Sequence, residues 1–168
     1  SLGSEFNFSE KPEIIDSVLM VIPDDHLISF SDNIPSLIPI EGFVSKRMEG
    51  AFSNVDNLHA GIDIVAKQGT PIKSTSAGVV VFSGWTYEMG NLIIIYHGDD
   101  YLTHYGHNQQ NIVSRLDIVK KGDVIGLVGN TGISSGPHLH FEIWKGGRSI
   151  DPLIYFPEFI KKGLTLKK

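Results

Sequence analysis

Two short stretches carry side chains able to bind a metal ion and to move protons. The first is Gly136-Pro137-His138-Leu139-His140-Phe141-Glu142. Gly136 and Pro137 interrupt whatever precedes them, and the residues after them alternate polar and apolar, the period of a strand. On a strand His138, His140 and Glu142 share one face, while Leu139 and Phe141 share the other. Two imidazoles and a carboxylate on one rigid face suit the start of a metal site. The same pattern also fits an ordinary half-exposed sheet face. The second stretch is His59-Ala60-Gly61-Ile62-Asp63, with an imidazole and a carboxylate four residues apart. Positions i and i+4 share a face in helix and strand alike, so the pair converges either way. His59, Asp63 and one of the two later histidines would give two imidazoles and one carboxylate. With a fourth position left to water, that is the donor set of a catalytic zinc site; structural zinc sites favour cysteine. The chain has no cysteine, hence neither disulfides nor thiolate ligands.

The remaining sequence must supply the elements that hold these groups. At 168 residues one domain is expected, with room for a substantial core. The hydrophobic fraction of 41% and charged fraction of 20% are those of a globular protein. Eighteen glycines and eight prolines favour many turns and short strands. A net charge of −5 with dispersed Lys and Arg argues against a nucleic-acid partner. No basic amphipathic stretch suits a membrane surface, and no apolar run reaches the length of a span. The opening Ser1-Leu2-Gly3-Ser4-Glu5-Phe6 resembles an expression-vector remnant, so missing targeting signals carry little weight.

Residues 1–39 read as that remnant plus an N-terminal segment or linker. Within it a short helix is expected over Pro12 to Val21, then an extended stretch from Asp24 to Pro39. A sharper alternative is a pro-segment covering the site with Asp24, Asp25 and His26. The compact domain is expected over 40–156, with a tail over 157–168. Strand patterns follow one another at close spacing: Ile72 to Thr75, Gly78 to Phe82, Asn91 to Tyr96, Tyr101 to Tyr105 and Val124 to Val128. Leu92 to Tyr105 reads as one hairpin, turning at His97-Gly98-Asp99-Asp100. The expected fold class is all-β, an antiparallel sandwich or open barrel of short strands whose long loops bound a groove. Trp85 and Tyr87 sit on a loop able to line that groove.

With these elements in place the chain resembles the lysostaphin/LytM-like zinc metalloendopeptidases, which cleave peptidoglycan cross-links. The resemblance covers roughly Ile40 to Tyr155 and follows the family's order of motifs. They are His59-Ala60-Gly61-Ile62-Asp63-Ile64, Gly69-Thr70-Pro71-Ile72, Ala77-Gly78-Val79-Val80 and Tyr105-Gly106-His107. Lys121-Gly122-Asp123-Val124-Ile125-Gly126, Gly129-Asn130-Thr131-Gly132, the Gly136 to Glu142 stretch and Asp151-Pro152 complete them. The resemblance implies that His59, Asp63 and His140 bind one zinc per chain. It implies that His107 and His138 are a catalytic pair near the reacting water and the substrate carbonyl. It also implies peptidoglycan stem peptides as substrate, and a periplasmic or extracellular place in the cell envelope. Two departures fall where recognition would be tuned. The usual Gly-x-Arg element is replaced around Ser45-Lys46-Arg47-Met48, and Asn108 stands where Leu is common.

Peptide hydrolysis needs an activated water and a stabilised oxyanion, which zinc can supply. Many zinc peptidases take their base from His-Glu-x-x-His, absent here. His138 and His107 are then the candidate proton carriers, because imidazole titrates near neutral pH; which is the base stays open. Glu142 could hold the second ring nitrogen of His140. It also fits an exposed strand carboxylate or a structural hydrogen bond. His104, three residues before His107, should point to the opposite face as a structural or partly exposed group. His97 should make a local bond at its turn, and His26 should be solvated. Tyr96, Tyr101 and Tyr105 suit core and rim. The glycines of 129–136 lack the Gly-Lys-Ser/Thr of a phosphate loop, so no nucleotide is expected. A monomer is expected, with any upstream anchor or regulatory segment outside this chain. The alternative is a catalytically weak or inactive LytM-like module that binds or regulates other cell-wall hydrolases.

Overall fold

The computed structural model describes residues 33–50 and 58–164. The expected helix over Pro12 to Val21, and Asp24, Asp25 and His26, lie outside them. Strands form where β-branched and aromatic residues run between turns rich in Gly, Asp and Asn. In chain order they are β1 (Phe43–Lys46), β2 (Ile62–Val65), β3 (Pro71–Lys73), β4 (Gly78–Thr86), β5 (Gly90–Gly98) and β6 (Tyr101–Asn108). Then come β7 (Gln110–Asn111), β8 (Ile118–Val119), β9 (Val124–Leu127), β10 (His138–Lys145) and β11 (Arg148–Ile150). The larger sheet runs β1-β2-β10-β6-β5-β4-β8, with β11 paired to β10, and the smaller runs β3-β9-β7. Every pairing is antiparallel, and neither sheet closes into a barrel. Helical structure among the described residues is a 3-10 turn at Pro152–Ile154 and a helix at Glu158–Leu164. No helix among them is long and apolar enough to cross a membrane.

One face of the larger sheet builds the main core. Ile62, Ile64, Ile93, Ile95, Tyr105, Leu139, Phe141 and Ile143 pack there with Ile72 and Ile125 of the smaller sheet. Phe156 and Phe159 close the same cluster from the C-terminal side. Burying a side chain of this size contributes roughly 1.5–3 kcal/mol. The segment before β1 is tied in by backbone bonds: Ser36 and Leu37 N–H both donate to Thr75 O at 3.1 Å.

His97 corrects an expectation. It belongs to β5 rather than to the turn, where Asp99 and Asp100 take left-handed φ of 47° and 60°. Two successive left-handed residues match the right-handed twist of a tight hairpin. His97 is fully buried, and its bonds are not local. Its Nδ1–H donates to Ala77 O at 2.8 Å, and Ser76 Oγ lies at the same distance. Its Nε2 lies 2.7 Å from Thr103 Oγ1, which is 2.9 Å from the buried Tyr105 hydroxyl. Burial lowers its pKa from 6.5 to about 4, against the pull of the Ala77 carbonyl. The unfolded chain therefore binds this proton first as pH falls. Stability that is complete above pH 6.5 drains away on acidification down through about pH 4. Between pH 7 and 5 the loss is about 2 kcal/mol. Urea unfolding with chelator present should show that His97→Gln lacks this part of the wild-type pH dependence. Equal pH slopes in the two proteins would exclude the effect.

Candidate metal centre

Strand register sets three rows across the second face of the larger sheet. Tyr96, Leu102 and Trp144 form an apolar row, and Ile94, His104 and Glu142 a mixed one. The third row holds Asp63, His140 and Gly106. The face thus passes from apolar to ionisable along the central strands, and sites built on strands are held more precisely than sites on loops. His59 lies just before β2 and leans onto the third row. Its Nδ1–H donates to Arg47 O at 2.9 Å, leaving Nε2 to face the cluster.

His59 Nε2, Asp63 Oδ1 and His140 Nδ1 converge at one point. The three separations are 2.9 Å for His59 to Asp63, 2.8 Å for His140 to Asp63 and 3.2 Å for His59 to His140. Tetrahedral zinc with N and O bonds near 2.0–2.1 Å sets neighbouring ligand atoms about 3.3 Å apart. The cluster fits after opening by a few tenths of an ångström, and its donor chemistry is that of zinc. Among the described residues it is the group of His and carboxylate side chains that could hold a metal.

The neighbours orient the donors and set their charge. Glu142 is buried, which removes the exposed-carboxylate reading. Its Oε1 accepts from His140 Nε2–H at 2.8 Å, so the other ring nitrogen points at the cluster. Trp144 Nε1–H donates to Glu142 Oε2, and His104 Nδ1 lies 3.3 Å from the same atom. Burial would raise the Glu142 pKa, but the His140 bond and the His104 charge outweigh it and hold it down at about 2. Burial would likewise depress His140, yet its bonds to Asp63 and Glu142 raise it to about 9. Asp63, against burial, is held well below the usual carboxylate range by His140 and His59. A cation taking the His140 lone pair must therefore displace a proton there at neutral pH.

His107 and His138 stand beside the cluster, with ring centroids 4.7 Å apart. His138 Nε2 is 3.7 Å from Asp63 Oδ1. Its Nδ1–H donates to Gly136 O at 2.8 Å, and the His107 Nδ1–H donates to Thr131 O at 2.7 Å. Each ring thus keeps Nε2 as its basic nitrogen. Burial lowers the His107 pKa, helped by the charges of His138 and His140.

His104 departs from expectation. It shares the face of His140 and Glu142, and its burial beside Glu142 fits the structural reading rather than the partly exposed one. Strand alternation fails because the β5–β6 register shifts between Asn91 and Ile93. Gly106 and His107 together oppose Leu92, and His107 takes φ of 63°. Such a bulge re-aims a side chain, here bringing His107 round to the metal face.

Residues 57–152 match the sequence signature of peptidase family M23. The chain belongs to peptidase family M23. Over 121 residues it is 42% identical to the murein hydrolase activator NlpD of Escherichia coli, covering 71% of this chain and 31% of that protein. Its fold is similar to the catalytic domain of lysostaphin from Staphylococcus simulans, at a TM-score of 0.56 and 31% identity. That match covers 69% of this chain and 87% of the other. A zinc containing peptidase from Vibrio cholerae matches at a TM-score of 0.57 and 33% identity, over 71% of this chain and 38% of that one. The chain spans about a third or less of the length of the first curated relatives it matches. This M23 chain thus brings His59, Asp63, His107, His138 and His140 together. The backbone carbonyls of Arg47, Thr131 and Gly136 and the indole of Trp144 join them. A carbonyl has no sequence signature, so only Gly106 inside a strand pattern hinted at the bulge.

Proposed function

We propose that this protein is a zinc-dependent endopeptidase that hydrolyses peptide cross-links of bacterial peptidoglycan. The observation that carries the reading is three donor atoms within 3.2 Å of one another, flanked by two imidazoles that are not part of the cluster. His59 Nε2, Asp63 Oδ1 and His140 Nδ1 hold one zinc per chain. When bound, the ion acidifies a water and polarises the scissile carbonyl. His107 Nε2 accepts a proton, in a ring whose burial lowers its pKa and so favours the neutral form. His138 Nε2, beside the Asp63 carboxylate, carries a proton toward the oxyanion or the leaving amine. The Thr131 and Gly136 carbonyls fix both tautomers for this work. The substrate places the protein in the cell envelope, outside the cytoplasm.

One observation favours a second reading, a module that activates other wall hydrolases: the 42% identity to a protein named as such an activator. Mass spectrometry of muropeptides after digestion of purified peptidoglycan, with zinc content measured on the same sample, separates the two. New peptide termini with one zinc per chain support the peptidase and identify the bond. Unchanged muropeptides, with faster digestion by a separate wall hydrolase, support the activator.

Glu142→Gln gives a further check on the cluster. The variant should bind zinc roughly 10-fold or more weakly, because the charge that keeps His140 Nε2 protonated is gone. Competition against a chromophoric chelator reads this directly, and an unchanged Kd would remove Glu142 from the metal site.

A further inference from the structure

We propose that Thr131 is a positioning residue for the His107 imidazole, acting through its own main-chain carbonyl. The proposal rests on the peptidase reading for its kinetic consequence only. His107 sits in the β6 bulge at a left-handed φ, so regular strand geometry does not fix where its ring points. What fixes the ring is the 2.7 Å bond from Nδ1 to Thr131 O. That carbonyl is useful only if it cannot move, and the Thr131 side chain is what holds it. Its Oγ1 accepts from Asn91 N–H at 3.1 Å and donates to Asn108 O at 2.7 Å. One hydroxyl therefore pins the loop to the start of β5 and the end of β6 at once. Around it, Ile133 N–H donates to Glu88 O at 2.8 Å, and Thr131 N–H to His107 O at 3.4 Å.

The seating leaves no slack. A Cβ added at Gly90 would stand 2.3 Å from Thr131 Oγ1, and one at Gly132 would stand 2.3 Å from Gly90 N. Loop and hairpin meet backbone to backbone, which only glycine allows. The same loop ends at Gly136, whose carbonyl holds His138 Nδ1. One short run of main chain thus sets the spacing of both imidazoles. Thr131 is its clasp at the His107 end.

The test compares Thr131→Val, which keeps the shape and loses the hydroxyl, with Thr131→Ser, which keeps the hydroxyl. The zinc-loaded full chain is 15N-labelled, and the ring nitrogens of His107 are observed where the imidazole is neutral. Wild type and T131S should show a single tautomer protonated at Nδ1; T131V should show mixed or exchanging tautomers. On peptidoglycan fragments T131V should lose roughly 10-fold or more in kcat, with KM within about twofold and zinc content unchanged. T131S should stay within about twofold of wild type. A wild-type tautomer signature in T131V overturns the proposal. So does its loss in T131S, which decides the matter if T131V fails to fold. An inactive wild type would sink the peptidase reading, yet the ring spectra would still decide the role of Thr131.

Discussion

Replacing His140 with alanine is expected to remove bound zinc and peptidase turnover together. His140 stands between β2 and β6 in the row that also holds Asp63, and its Nδ1 is within 3.2 Å of both other donors. Without it the cluster keeps one imidazole and one carboxylate, too few protein ligands to retain zinc against a chelator. The Lewis-acid contribution is several kcal/mol, and about 1.4 kcal/mol is a factor of ten, so activity should fall by roughly 10³ or more. The substitution also takes a partner from the buried Glu142, at about 1–3 kcal/mol of stability. Elemental analysis and turnover must therefore be measured below a melting temperature established for the variant. Trp144 and His104 still face Glu142, so the strand itself should persist. One zinc per chain and full activity in folded His140→Ala would show that the ligands lie elsewhere.

Strand alternation makes part of the candidate site legible, and the choice of His140 over His138 rests on the family resemblance. His138, His140 and Glu142 had to share a face wherever β10 lay. That Asp63 would stand opposite His140 was not legible, since it depends on register between β2 and β10, 77 residues apart in the chain. His104 was misplaced for a related reason. Alternation predicted opposite faces for residues 104 and 107, and one bulge at Gly106 and His107 reversed the outcome. His97 was read as a turn residue from its neighbours Gly98, Asp99 and Asp100. Its burial follows from Ser76, Ala77 and Thr103, partners that no local pattern announces. What sequence conveys poorly here is the backbone: the carbonyls that choose each tautomer belong to Arg47, Thr131 and Gly136, and a carbonyl looks the same whatever residue carries it.

Replacing His107 with alanine is expected to leave zinc in place and slow turnover by roughly 10² or more. His107 gives no atom to the cluster, and its ring centroid is 6.0 Å from that of His140, so metal content should match wild type. What disappears is a basic nitrogen beside the cluster. His138 survives, held on Gly136 O and next to Asp63, so one imidazole is left to do the work of two. The pH profile separates lost chemistry from lost structure. Burial lowers the wild-type His107 pKa, and a cation in the cluster would push the same way. The ring therefore stays neutral to lower pH than an ordinary imidazole. Wild-type kcat/KM should hold as pH falls through 6.5 and decline only below it, and the residual activity of His107→Ala should lack that limb. Because His107 occupies a left-handed position, alanine there is strained and His107→Gln serves as the parallel variant, keeping a polar side chain without a basic ring. Wild-type turnover in either variant, with zinc retained, would leave His138 or a group not yet considered as the proton acceptor.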